Sequence, residues 1–413
     1  MASTHMNETL KNIVDQLQVL CVALEKQLHS LPSDPRQSRV NEALQPRFGQ
    51  HVLKKYEAMS VIKEVVSNST NQRQHVLDIV KFVAHEFNLS KDDICANENE
   101  TLRYSAANGH VEVVKYLHEG FGLTSDDARD ENNFALRVSA ANGHIEVVKY
   151  LHEGFGLTTK DARAENNLAL YWSAANGYLE VVKYLHEKFG LTADDLRGEI
   201  FHKINMILIT ACENGHLEVV KYFHTRVGLT LDDARAEDNC ALKSSARNGH
   251  IEVVKYLHKE FGLTTDDARA NDNFALKFSA AYGHIEVVKY LHQGFGLTVD
   301  DARAKDNYAF QTSAANGHLE VVKYLHQEFG LTADDARATR NYALQMSALS
   351  GHLEVVKYLL FDIGLNQFDD WVKALPPGVK NVHAHVVKFL NEQFGIRSSK
   401  DVVHEMFVCL STL

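Results

Sequence analysis

The chain has 413 residues, 45% of them hydrophobic, and a formal net charge of −11. That apolar fraction excludes wholesale disorder, and the acidic balance argues against a general binder of nucleic acid or anionic membrane, both of which require basic surface. No apolar run approaches the roughly 20 residues of a membrane span, and the N-terminus carries no secretory h-region.

In chain order, residues 1–6, MASTHM, read as an expression scar ahead of Met6. Residues 7–70 are expected to form a helical N-terminal cap. Within it Leu10, Ile13, Leu17, Leu20, Leu24 and Leu31 fall at mostly three- and four-residue steps, which predicts an amphipathic helix over 7–31. That helix either covers the open end of the next element or forms a short coiled coil and a homodimer, and barely three heptads favour the cap. Pro32, Pro35 and Pro46 punctuate a polar linker before a second helical stretch over about 49–67.

From residue 71 to 361 the chain is periodic. A glycine recurs at Gly109, Gly143, Gly177, Gly215, Gly249, Gly283, Gly317 and Gly351, with steps of 34 residues and one of 38. A fixed period in this range marks a stacked repeat. The segment 76–93 is a worn first copy, because it matches 110–127 position by position. Residues 362–413 form a degenerate last repeat and C-terminal helical cap, in which 382–396 carries the repeat's helix once more and Trp371 and Pro376–Pro377 break the pattern. An outermost repeat has one face turned to water, so wear at the ends is expected.

Each copy predicts two helices and a shorter piece. In HIEVVKYLH, Ile145, Val147, Val148 and Leu151 share one helical face, and Glu146 and Lys149 are neighbours on the other. Gly143 suits the turn before this outer helix, and a second glycine column (Gly122, Gly156, Gly190 and onward) marks its end. Next comes Leu-Thr-x-x-Asp, where Thr124 and Asp127, Thr192 and Asp195, and Thr264 and Asp267 have capping-box spacing. The arginine column Arg129, Arg163, Arg197, Arg235, Arg269, Arg303 and Arg337 is expected to pair with these aspartates within or between repeats rather than to bind phosphate. An asparagine column, Asn133, Asn167, Asn205, Asn239, Asn273, Asn307 and Asn341, precedes the inner helix as its N-cap. The fold class is therefore an all-α solenoid of about 34-residue helix–turn–helix units with an extra capped helical turn.

The G-H-x-E-V-V-K-Y-L helix, preceded by A-L-x-x-S-A-x-N, resembles an ankyrin repeat over residues 76–396. Two departures stand out. The family's T-P-L-H-x-A is F-A-L-R-V-S at 134–139 and L-A-L-Y-W-S at 168–173, and no proline occurs between Pro46 and Pro376. The T-x-x-D-A-R turn stands in place of the usual β-hairpin finger. This variant is similar to the divergent ankyrin proteins of amoeba-dwelling intracellular bacteria and giant viruses. The resemblance implies a protein-binding scaffold, and further a protein delivered into the cytosol of a host cell.

In a repeating scaffold, constant positions are structural and variable ones are free to specialise. Ala135, Leu136, Ser139 and Ala140 take one face of the inner helix, which leaves two variable columns on the other. One runs Arg103, Arg137, Tyr171, Ile209, Lys243, Lys277, Gln311, Gln345, and the next Tyr104, Val138, Trp172, Thr210, Ser244, Phe278, Thr312, Met346. Ankyrin proteins grip partners with their inner helices, so the resemblance makes Arg103, Tyr104, Arg137, Tyr171, Trp172, Lys243, Lys277, Phe278, Gln311 and Met346 the expected partner contacts. Tyr282, where most copies have Asn, joins them. Tyr171 and Trp172 with Arg137 below form the best single cluster, since exposed Trp, Tyr and Arg anchor protein interfaces. The four extra residues within 196–207 are either a bulge on the binding face or a neutral scar.

No chemistry is expected. Hydrolase, zinc-protease, P-loop and dinucleotide motifs are all absent, and no cofactor is implied. The rival reading is an enzyme, or an adaptor to one of ubiquitin-ligase type, with its active element in the terminal segments. Two histidine columns, from His110 and from His118, are spaced a whole repeat apart and so do not converge on a metal. Cys21, Cys95, Cys212, Cys240 and Cys409 show no paired spacing, which fits a reducing, cytoplasmic setting.

Overall fold

The computed structural model describes residues 49–67, 73–197, 206–365 and 384–394. The stretch 7–31, with its cap and dimer readings, lies outside them, as do insertion residues 198–205 and Trp371. The described residues are helical or in turns, with no strand among them. They divide into two compact units, one containing the chain up to Ser139 with His144–Leu157, the other Ala140–Gly143 and the chain from Thr158.

One copy in the second unit shows the plan: a short helix Thr159–Ala162, an inner helix Ala164–Ala175 and an outer helix Leu179–Glu187. Val181, Val182 and Leu185 of the outer helix and Ala169, Leu170, Ser173 and Ala174 of the inner helix are buried. Each fully buried Leu or Val contributes about 1.5–3 kcal/mol. The small residues let helices approach, and Ser173 satisfies its hydroxyl by donating to the Leu170 carbonyl at 3.0 Å. The segments Ala164–Ala175, Met206–Glu213, Leu231–Arg247, Thr265–Ala281, Ala304–Ala315 and Ala338–Leu349, each of which holds an inner helix, pack side by side in succession, and the outer helices stack likewise.

The Asn-Gly-His turn ties copy to copy. An α-helix leaves its last carbonyls without partners. Here the Ala175 carbonyl accepts from Asn214 Nδ2 at 2.7 Å and from His216 Nε2 at 2.9 Å, both belonging to the next repeat. The imidazole also fixes the glycine: at Gly177, with φ +77°, a Cβ would lie 2.4 Å from His216 Nδ1. In the first unit Asn108 Nδ2 donates in the same way to the Val66 carbonyl at 2.9 Å. Helix Gly49–Ser67 thus takes the inner-helix position of the worn first repeat, and Arg73–Glu86 packs on Val111–Phe121 as its outer helix.

The capped turn is separate from the inner helix, and the break between them is left-handed. Glu165, Asn166 and Asn167 have φ of 49°, 55° and 64°. The same three positions are left-handed in each copy whose turn is described, from Asn97–Asn99 to Thr339–Asn341. Three such residues in a row are uncommon, because each costs an L-residue roughly 1–2 kcal/mol. This corrects the N-cap reading of the asparagine column. Asn167 is itself left-handed, its buried Oδ1 receives no donor, and its Nδ2 donates to the Asp195 carbonyl of the next repeat at 3.0 Å.

A candidate partner-binding groove

The arginine–aspartate columns are structural, as their spacing predicts. Arg235 Nε and Nη2 donate to the two oxygens of Asp267 at 2.8 and 2.9 Å, one repeat on. Asp267 Oδ2 meanwhile accepts from the backbone N–H and hydroxyl of Thr264 at 2.7 and 3.0 Å, closing the capping box. Arg163–Asp195, Arg269–Asp301 and Arg303–Asp335 repeat the pairing.

Both histidine columns also have structural partners. In the first, His144 Nε2 binds the Ala107 carbonyl of the preceding inner helix at 2.9 Å, as His216 binds that of Ala175. In the second, His258 Nδ1 lies 2.9 Å from the Tyr290 hydroxyl of the next copy while its ring stacks on Phe295 at 4.1 Å. Burial holds the His258 imidazole below its ordinary range, with Lys259 adding to the effect. Among the described residues no group of three or more His, Cys, Asp or Glu is placed to hold a metal.

The variable column beginning at Arg103 divides into two kinds of residue. Arg137 donates to the Asn132 and Glu131 carbonyls at 2.9 and 2.7 Å, and Arg103 to the Asn97 carbonyl at 2.9 Å, so both clasp the left-handed turn beneath them. Gln311 and Gln345 do the same toward Asp306 and Arg340 at 2.5 and 2.6 Å. Gln311 is buried rather than exposed, a correction to its expected place, and Ile209 and Thr210 are buried as well. Tyr104 is half-buried under the Lys63 ammonium at 5.6 Å, and Met346 is half-buried on its inner helix. Four of these positions therefore vary between Arg and Gln while serving one structural purpose, because both side chains end in N–H groups that reach those carbonyls.

Of the other members, Trp172 and Tyr282 are exposed and Tyr171, Lys243, Lys277 and Phe278 are half-buried. Trp172 is 45% exposed and meets Tyr171 edge-on at 5.0 Å, and the Tyr171 hydroxyl lies 3.4 Å from Thr210 Oγ1. Further along, Phe278 packs on Phe274 at 4.1 Å and lies 6.0 Å from Tyr308. Lys243 sits over Phe274 at 5.7 Å, Lys277 over Tyr308 at 5.8 Å, and Arg247 over Tyr282 at 5.5 Å.

A groove of about 910 Å³ runs along the turns of four successive copies in the second unit, lined by Ala175, Asn176, Tyr178, Glu213, Asn214, His216, Arg247, Asn248, His250, Tyr282 and His284. Its Asn and His residues are the constant tie of the repeats. Its other large side chains are departures from the pattern: Tyr178 stands where other copies have His, Glu213 and Arg247 where most have Ala, and Tyr282 where most have Asn. Sequence reasoning picked out Tyr282 alone. The available signal was the break of the otherwise small column at Glu213 and Arg247.

The family model for ankyrin repeats (3 copies) matches residues 70–161, 102–195, 170–268, 208–301 and 276–369. No curated protein matches the chain. No helix among the described residues is long and apolar enough to cross a membrane. Matched over most of its length by that model, and built of stacked helix pairs joined by Asn-Gly-His turns, the chain belongs to the ankyrin-repeat family.

Proposed function

We propose that this chain is a non-catalytic scaffold that grips a protein partner along the inner-helix face and turn groove of residues 171–308. Ankyrin repeats generally mediate protein–protein interaction. The observation that carries the reading for this surface is convergence: Tyr178, Glu213, Arg247 and Tyr282, each a departure from its column, line one groove. Tyr178 and Tyr282 are 38% and 48% exposed, and large aromatic and Arg side chains of this kind anchor interfaces.

A photo-crosslinking residue at position 282, with a second at Lys289 on an outer helix as control, tests the surface. Partner adducts are expected from 282 only. Equal yields from both positions would sink the assignment.

The likeness to ankyrin proteins of amoeba-dwelling bacteria and giant viruses supports a host-directed role in a reducing cytosol. Cys95, Cys212 and Cys240 are free thiols, and burial together with Asp127 pushes the Cys95 thiol up to about 11, so it is a poor nucleophile. A translocation reporter fused to the chain and silent in an infected amoeba would remove the host-directed part of the reading.

A further inference from the structure

We propose that the inner-helix face over residues 243–282 takes an acidic, extended segment of its partner, whose carboxylates seat on Lys243, Lys277 and Arg247. This rests on reading the face as the partner-binding surface and adds the chemistry of what it binds.

Among the described residues, the repeating cations of the outer and short helices are matched with carboxylates. The lysine of each outer-helix Glu-Val-Val-Lys, from Lys115 to Lys357, reaches the glutamate three residues earlier at 2.7–2.9 Å. The arginines of the short helices hold aspartates of the next repeat. Lys243, Lys277 and Arg247 break this habit: among the described residues none has a carboxylate within ion-pair distance. They rest instead on the aromatic bed of Phe274, Phe278, Tyr282 and Tyr308. A ring face anchors a cation and shields one side of it from water but does not neutralise it, which strengthens the attraction for an arriving anion. Partial burial holds the Lys277 ammonium below the usual lysine range, with Lys305 adding to this and Asp272 opposing it. Arg103 and Arg137, in the same column as these lysines, already donate to backbone carbonyls.

Cations on aromatic rings also suit single-stranded nucleic acid. Here the left-handed turns flanking these inner helices expose Glu237, Asp238 and Asp306, which would repel a continuous phosphate backbone, while Asp272 is paired with Lys305 at 3.1 Å. A peptide carries charge only where its sequence puts it. The spacing is also suitable: packed helices lie about 8–10 Å apart. A polyproline II segment brings every third residue to one face at about 9 Å. Carboxylates at i and i+3 would therefore meet Lys243 and Lys277 in turn.

The test titrates the whole chain into a fluorescein-labelled peptide of Glu-Ala-Pro triplets, its Gln-Ala-Pro counterpart and a labelled oligouridine, read by anisotropy at low salt. The Glu peptide is expected to bind at least tenfold more tightly than the Gln peptide. Lys243→Gln with Lys277→Gln should weaken it at least tenfold at an unchanged melting temperature. If that pair lowers the melting temperature, Lys243→Arg with Lys277→Arg is expected to keep binding, and its loss there too overturns the inference. Equal binding of the Gln peptide, or tighter binding of oligouridine that the same variants abolish, also overturns it.

Selection from random peptides separates the two readings. Binders lost in the face variants but not enriched in Asp or Glu overturn the acidic-ligand inference and leave the partner-binding face standing. Binders indifferent to every variant of this face overturn both.

Discussion

Arg269 and Asp301 lie thirty-two residues apart in sequence and form a two-pronged ion pair between neighbouring repeats, Nε to Oδ1 at 2.8 Å and Nη2 to Oδ2 at 3.1 Å. The same carboxylate accepts from the backbone N–H and hydroxyl of Thr298 at 2.8 and 3.2 Å. One side chain thus starts a helix and fastens the preceding copy to it.

Asp301→Asn is expected to lower stability by about 1–2 kcal/mol, most of it from the cap, since Arg269 is 42% exposed and screened by solvent. The Asp301 carboxyl feels burial, which alone would raise it. Arg269 and Thr298 outweigh that and hold it below the ordinary 3.8. A depressed folded value gives stability that is complete above the unfolded value and lost as pH falls through the folded one. The wild type should therefore lose melting temperature below about pH 4, as Asp195, Asp267 and Asp335 protonate in parallel. The difference between wild type and Asp301→Asn should shrink there. A constant difference from pH 7 to pH 3 would rule out this linkage.

A second pH effect lies higher. Burial depresses His318, the neighbouring His284 and His352 add to this, and its hydrogen bond to the Ala281 carbonyl opposes it. With a folded value below the ordinary 6.5, the unfolded chain binds more protons, so stability is complete above about pH 6.5 and falls as the solution is acidified below it. Melting temperature is expected to drop between pH 7.5 and 5.5, and less so in His318→Gln. An identical drop in the variant would place the effect on other groups.

These two columns show what was legible in the sequence and what was not. Arg269 and Asp301 could be paired on paper because both partners are constant and opposite charges have one obvious use. The N-cap expectation fails at Asn167 because asparagine is favoured both as an N-cap and in the left-handed region. The sequence alone does not say which of these backbones it adopts. Arg137 and Gln311 vary from copy to copy, and variation alone points to recognition. Their shared bond to the left-handed turn depends on an N–H at the end of a long side chain, which several residue types supply. Arg247 and Glu213 stand in a column that is small in most copies and breaks only twice in the groove, so it carries little of the copy-to-copy variation that marks the other two columns.

The left-handed turn gives a prediction of unusual sign. Glu165 sits at φ 49° and ψ 46° with an exposed side chain. Glycine adopts that conformation freely, while its own backbone entropy offsets part of the benefit. Glu165→Gly should therefore raise stability by roughly 0.5–1 kcal/mol, where glycine inside an ordinary helix would lower it. Thermal or urea unfolding decides the matter, and a lower midpoint would mean that this turn is held by contacts of the Glu165 side chain.

Trp172 separates the binding reading from a packing role. With 45% of its surface exposed and its main ring contact the neighbouring Tyr171, its removal leaves no closed cavity. Trp172→Ala should move stability by no more than about 0.5 kcal/mol, the range of ordinary surface substitutions. Truncating a hot-spot aromatic at an interface costs about 2 kcal/mol or more, so partner affinity should fall by at least tenfold. Tyr171 is half-buried and reaches Thr210, so adding Tyr171→Ala tests whether the pair acts as one unit. If the double variant binds as the single one does but melts earlier, Tyr171 is a support for the indole and Trp172 alone makes the contact. If Trp172→Ala itself melts early and binds normally, the ring belongs to the fold, and the gripping surface contracts to the groove between Tyr178 and Tyr282.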